Sequence, residues 1–334
     1  MNETLSEMFR EYANAPKIVQ PSKYWIKINK TQLKKFERYG YANFKRTFSV
    51  NYFMWTRVPP WDSQIVFFIR SVPFRVTLEA FIKTLFIKNY SPISYPQSWS
   101  YSFLTRLLWH YVTNQDDKHL LKKIKEPLYG NPPRIYINDA LISQDIANSL
   151  LEYQSIFSTI NHTKINRIIE LGPGYGRTAY FIKRFKPDVQ YVFVDIPPAL
   201  YIAQRYMKQV FPKSRIFNFR PFESYNEVRS EIEKADLVFL LPHQMEKLPK
   251  KWADMFINIS SLHEMIPKQI KYYINQADRL TREYFYFKQW ISDKMPEENI
   301  VISEKDYPIP KKWKKIYRRN CKVHTSFFES LYKI

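Results

Sequence analysis

Three of the chain's five glycines, Gly172, Gly174 and Gly176, stand within five positions in a sequence of 334 residues. Average usage would supply roughly twenty in all. They follow the β-branched run RIIEL at 167–171 and lead into a helix-length amphipathic run. A strand that enters glycines and then a helix brings bare backbone up to a ligand, and the helix start offers unpaired N–H groups of positive character. Such a loop is expected to hold a nucleotide-like cofactor, the alternative being a turn needed only for tight strand-helix packing. Glu170 stands at the strand end two residues before the first glycine, and Asp195 ends the next strand. An acid there chelates ribose hydroxyls. The dinucleotide fingerprint G-x-G-x-x-G would need glycine at 177, where this chain has Arg177.

A second set of polar residues follows later strands. Ser260, His263 and Glu264 come at and just past the carboxyl end of DMFINIS (254–260), where open parallel sheets place their chemistry. An imidazole with pKa near about 6.5 can take a proton from a hydroxyl. Glu264 would orient it, or serve as a first-turn acid; His263 itself would equally suit a helix cap or core edge. His243 and Gln244 follow DLVFLL (236–241), in what can also be a plain polar loop. Lys288, Gln289 and Trp290 end EYFYFKQW (283–290). There an aromatic face can stack on a sugar ring and a lysine can meet a phosphate, although strand-end packing would also use them. His324, before TSFF, is a further acceptor-side candidate or a strand-start histidine. No compact His, Asp and Glu set is visible, so no metal is expected.

These residues need a frame to hold them. From about 165 onward, short β-branched runs alternate with amphipathic helix-length runs, which predicts an α/β fold with a mostly parallel, Rossmann-like sheet. The strands are RIIEL, QYVFVDI (190–196), DLVFLL, DMFINIS and EYFYFKQW. SRIFNF and the helical FESYNEVRSEIEKA read as a strand and helix inserted beside that core. Pro198 and Pro267 fit the first turns of two helices, where no donor is needed. WKKIYRRNCKVHTSFFESLYKI reads as two strands in an antiparallel pair at the sheet's edge. Residues 1–160 instead show apolar helical stripes at 76–90, 102–112 and 144–157, with a small hairpin around Asn138-Asp139. We expect a mostly helical accessory or substrate-recognition region at 1–160 and a cofactor-binding domain at 161–334.

No run of about 18 uncharged apolar residues exists and the first residues lack a signal peptide's apolar core, so a soluble cytoplasmic protein is expected. The single cysteine, Cys321, leaves no internal disulfide. The net charge is +21 and concentrates at the ends: residues 1–50 hold 10 Lys/Arg against 4 Asp/Glu, and 301–334 hold 9 against 3. The run KKWKKIYRR (311–319) interleaves base with aromatics, as binders of phosphate or anionic membrane surfaces do, and as a solvated strand face also can.

The pattern E-x-G-x-G-x-G resembles motif I of class I S-adenosylmethionine (SAM) methyltransferases. The resemblance implies that Glu170 helps orient the methionine part and that the glycines make room for it. It places Arg177, Ser260, His243 and Gln244 among the cofactor contacts. The strings ELGPGYGRTAY, VDIPPALYIAQRYMKQVFP, FLLPHQMEKLP, FINISSLHEMIPKQIKYYINQADRL, YFKQW and VHTSFFESLYKI, with GNPPRIYINDALISQDIANSLLEYQSI upstream, are similar to a bacterial family of sugar O-methyltransferases over roughly 125–334. That likeness implies SAM-dependent methylation of a sugar hydroxyl in cell-surface glycan biosynthesis, on a nucleotide- or lipid-linked glycan. His263 would be base, Glu264 its partner, and Lys288, Trp290 and His324 acceptor contacts; the basic ends would face phosphates or an anionic membrane surface. A nucleic-acid methyltransferase fits less well, because Pro197-Pro198 follows the second strand, while the fourth ends in Ser260-Ser261-Leu262-His263; no nucleic-acid partner is expected. Arg177 and Glu170 speak against a nicotinamide oxidoreductase, and a non-catalytic glycan- or partner-binding module is the remaining alternative.

Overall fold

The computed structural model describes residues 3–47, 63–160 and 162–334. The chain divides into two compact units, one of Met1–Thr31, Thr159–Cys321 and Ser326–Ile334, the other of Gln32–Ser158 and Lys322–Thr325. One break lies beside the expected boundary near 160. The first 31 residues, however, group with the sheet and not with the helices that follow them.

The second unit carries the helices Phe44–Thr47, Ser63–Ser71, Phe74–Leu85, Tyr95–Thr113 and Gln144–Phe157, and the hairpin β1 (Ile135–Ile137) with β2 (Ala140–Ile142). The hairpin turns at Asn138 and Asp139, with φ of 46° and 62°, the pair of left-handed residues that a two-residue primed turn requires. Ser143 caps the last helix by accepting from the Ile146 amide at 3.1 Å. Lys45 and Glu126 form a buried ion pair there, and Ser143 donates to the second Glu126 oxygen at 2.6 Å.

The first unit is built on β3 (Arg167–Leu171), β4 (Gln190–Val194), β5 (Ile216–Phe217), β6 (Leu237–Leu240), β7 (Ala253–Ile259) and β8 (Thr281–Trp290). A hairpin of β9 (Ser292–Met295) and β10 (Ile300–Ser303) follows, then β11 (Lys314–Asn320) and β12 (Phe327–Lys333). Eight of these form one sheet in the order β11-β12-β8-β7-β3-β4-β6-β5. β3 through β8 pair in parallel, and β12 runs antiparallel to β8 and β11. Every residue of β4, β6 and β7 is buried, because helices cover both faces of a parallel sheet and no alternation is left. The expected insertion beside the core is β5 with the helix Tyr225–Lys234; the strand lies outermost, next to β6. Pro267 sits in the first turn of the helix Pro267–Leu280, as read.

The N-terminal segment is held to this sheet by burial and by side chains from far along the chain. Val19 joins the cluster of Ile169, Leu171, Val192 and Phe256. Gln269 donates to the carbonyls of Ile18 at 3.1 Å and Gln20 at 2.7 Å. At the other end of the chain, the basic run becomes the preceding turn and the edge strand β11. Trp313 is buried and donates to Asp278 at 2.8 Å, Lys312 pairs with the same carboxylate, Arg318 pairs with Glu304 and Arg319 with Glu329. Trp313 is therefore part of the core and Tyr317 half-buried, while Lys311, Lys314 and Lys315 are exposed. No helix among the described residues is long and apolar enough to cross a membrane.

Candidate active site

β3 ends at Leu171 and the chain turns through the three glycines, all at positive φ (73°, 59° and 91°). Their reasons differ. A Cβ on Gly172 would stand 2.5 Å from the Ser261 hydroxyl oxygen, and one on Gly176 would stand 2.9 Å from the Phe193 ring. A Cβ on Gly174 would meet nothing within 4 Å. Gly172 and Gly176 thus admit the protein's own side chains, from the loop after β7 and from β4. Of the three, Gly174 is the one at which a Cβ would stand in open space.

Asp195, just past β4, aims at that same turn. Its Oδ2 accepts from the Gly174 amide at 2.9 Å and its Oδ1 from the Ile196 amide at 2.8 Å. Burial pushes its carboxyl up to about 7, and the two backbone donors offset part of the rise. Glu170 is buried on β3 and accepts from the Tyr191 hydroxyl at 2.6 Å, one strand over. Arg177 opens the helix Arg177–Phe185 and is buried.

After β6, the short helix Pro242–Met245 presents His243, whose Nδ1 is buried with no hydrogen-bond partner. Burial pushes its pKa down, keeping the ring neutral. Gln244 is otherwise employed: its carbonyl oxygen accepts from the Leu241 amide at 2.9 Å and its amide donates to the Arg220 carbonyl at 2.8 Å. Both of its ends stabilise the turn that holds His243. Bare backbone at Gly174, a carboxylate at Asp195 and an unsatisfied imidazole nitrogen at His243 are groups that could hold an adenosine-bearing cofactor.

A second group of polar residues gathers where β7 and β8 end. Asn258 is fully buried on β7 and donates to the Leu171 carbonyl at 2.9 Å. A carbonyl only accepts, so the Asn258 oxygen must face the other way, where the Gln289 amide donates to it. The Gln289 oxygen then faces His263, accepting from its backbone amide at 3.2 Å and from Nδ1 at 3.0 Å. The chain of donors fixes the tautomer: Nδ1 carries the hydrogen and Nε2 has the lone pair. Burial pushes His263 down to about 4, with the Gln289 bond offsetting part of the fall. Its Nε2 lies 3.6 Å from Glu264 Oε1 and 3.7 Å from Asp293 Oδ2. Burial raises both carboxyls, and the Trp25 indole, donating to Glu264 Oε2 at 3.0 Å, offsets part of the rise at Glu264.

The other predicted residues fall into place unequally. Ser260 takes up a left-handed φ of 55° and donates its amide to the Lys288 carbonyl at 2.8 Å, turning the chain toward His263. Trp290 stands beside the site, its ring 6.1 Å from that of His263 and 4.7 Å from Phe327. Lys288 is buried within β8, so the structure does not present it at a surface for phosphate. His324 groups with the helical unit, its Nε2 3.2 Å from Asn148 Oδ1. Asn258, Gln289, Asp293 and Trp25 received no role from the sequence. A polar Asn258 between Ile257 and Ile259, near the strand's carboxyl end, was the one available signal.

No protein-family model and no curated protein matches the chain. Among solved structures it is similar to the PH0226 protein of Pyrococcus horikoshii OT3, at 13% identity over 56% of this chain and 90% of that one, with a TM-score of 0.39. It is similar to a SAM dependent methyltransferase from Aquifex aeolicus, at 15% identity over 50% and 81%, TM-score 0.32. A third is magnesium protoporphyrin IX methyltransferase from Synechocystis PCC 6803 with bound SAM, at 11% identity over 57% and 81%, TM-score 0.36. Likeness this distant carries no function across. The chain's own sheet is Rossmann-like, mostly parallel with an antiparallel C-terminal edge, and what its site does has to come from the residues in it.

Proposed function

We propose that the chain is a SAM-dependent O-methyltransferase acting on a sugar hydroxyl of a nucleotide- or lipid-linked glycan. The observation that carries this reading is the relay from Leu171 through Asn258 and Gln289 to His263. It begins at the last residue before the glycine turn and ends on an imidazole with a lone pair at Nε2. Cofactor support and a proton acceptor are thereby tied into one rigid unit. Gly174, Asp195 and His243 would hold the nucleoside, and Glu170 would support the turn. SAM, when bound, supplies a methyl group on a sulfonium, which needs little further activation.

The residues here then have two tasks, alignment and proton removal. With SAM bound, transfer of its methyl to the acceptor oxygen, leaving S-adenosylhomocysteine, would release the hydroxyl proton, and His263 Nε2 would take it. Glu264 and Asp293, both within 4 Å, receive the resulting imidazolium. The Trp290 ring beside His263 offers an apolar face to a sugar ring. The sugar itself is supported by the family resemblance and by this aromatic neighbour. Calorimetric titration with SAM, S-adenosylhomocysteine (SAH) and NADH tests the cofactor, with sugar nucleotides screened afterwards as methyl acceptors. Micromolar binding of the first two and none of NADH is expected; absence of SAM and SAH binding would overturn the reading.

A further inference from the structure

Asn29 lies in the N-terminal segment that groups with the sheet, 9% exposed, with its amide donating to the Pro197 carbonyl at 3.1 Å. Because Pro197 O can only accept, the side chain cannot flip without setting oxygen against oxygen. The Asn29 Oδ1 is therefore fixed on the opposite side, buried and without a hydrogen-bond partner. A buried acceptor left unpaired is costly, and proteins retain one where a ligand or water satisfies it. Pro197 is two residues past Asp195, the acid placed at the nucleoside. The same segment reaches the other half of the site. Ser22 donates to the Glu264 carbonyl at 3.0 Å, Trp25 to its carboxylate, and Lys27 pairs with Glu297.

We infer that residues 18–31 cover the nucleoside site and that Asn29 Oδ1 accepts a hydrogen bond from the adenosine part of the bound cofactor. This assignment rests on the SAM reading above. It makes Asn29 a binding residue contributed from the N-terminal segment, far in sequence from the glycine turn.

The test uses the full chain and SAH as probe. Calorimetry on Asn29→Leu should show about tenfold weaker SAH binding, the loss expected for one buried hydrogen bond, with thermal midpoint and circular dichroism close to the wild type. In the wild type itself, SAH should slow amide hydrogen exchange across residues 18–31 at least as much as across 172–177, a readout that does not depend on the variant folding. SAH binding within twofold in both proteins, or no protection of residues 18–31, overturns the assignment while leaving the SAM reading intact. A wild type that does not bind SAH overturns both.

Discussion

The two halves of the site are built by opposite means. At the ends of β3 and β4 the protein withholds side chains: Gly174 faces open space and the carboxylate of Asp195 is oriented by backbone amides. At the ends of β7 and β8 it fills the space with side chains whose polar atoms are spoken for, from Asn258 through Gln289 to His263. Backbone suits a ligand that must be approached closely over a broad surface. A side-chain relay suits a reacting group whose tautomer must not wander. One half can thus be damaged without the other, and that separation is what experiments should press on.

The largest effect is expected from His263→Ala. Its kcat should fall about 10²- to 10⁴-fold, the usual worth of a general base, while SAH binds as in the wild type; loss of both together would merge the two halves. Asp195→Ala should do the reverse, weakening SAH binding by about a hundredfold through loss of charge-assisted bonds, and titration of the variant reads this directly. Gly172→Ala and Gly174→Ala sharpen the contrast within a single turn. The first should lower stability by about 1–3 kcal/mol through overpacking against Ser261, measured by chemical denaturation. The second should show chiefly as weaker SAH binding, with a smaller loss of stability from its backbone angle.

Acid titration separates the halves by sign. His263, pushed down to about 4, binds fewer protons in the native state than when unfolded, so its contribution rises with pH and is lost as pH falls from about 6.5 toward 4. Asp195, pushed up to about 7, does the opposite: its contribution is present at low pH and lost as pH rises through about 7. Denaturation midpoints across this range should fall more steeply with rising pH in His263→Gln and rise more steeply in Asp195→Asn. Parallel curves for the two variants would refute the pairing. The smallest effect is expected from replacing Lys311, Lys314 and Lys315 by Gln. Methyl transfer and vesicle association should stay within about twofold if these lysines only solvate an edge; a large loss would restore them as a phosphate-binding surface.

Much of the frame was legible because parallel strands covered on both faces must be written in continuous apolar runs, as QYVFV and LVFL are. The β9–β10 hairpin was not, since in SDKMPEENIVIS only Met295 and Ile302 are buried. The place of the first 31 residues was hidden for another reason. What holds them, at Pro197, Glu264 and Gln269, lies about 170–250 positions away, and nothing local announces it. In the site, Gly174 and Asp195 were visible as a spacing. The separate purposes of Gly172 and Gly176 needed Ser261 and Phe193 in view, and the tautomer of His263 needed two amides from different strands.

The sheet has two raw margins, and they are stopped differently. One ends in β5, only two residues long, and offers almost nothing to pair with. The other ends in β11, seven residues long, which bears Lys314, Lys315, Arg318 and Arg319. Two copies meeting along that margin would set like charges side by side, so the sheet cannot readily grow into a filament. The safeguard is electrostatic and therefore conditional: concentrated salt or acylation of the lysines would weaken it, and the first sign would be turbidity rather than lost activity.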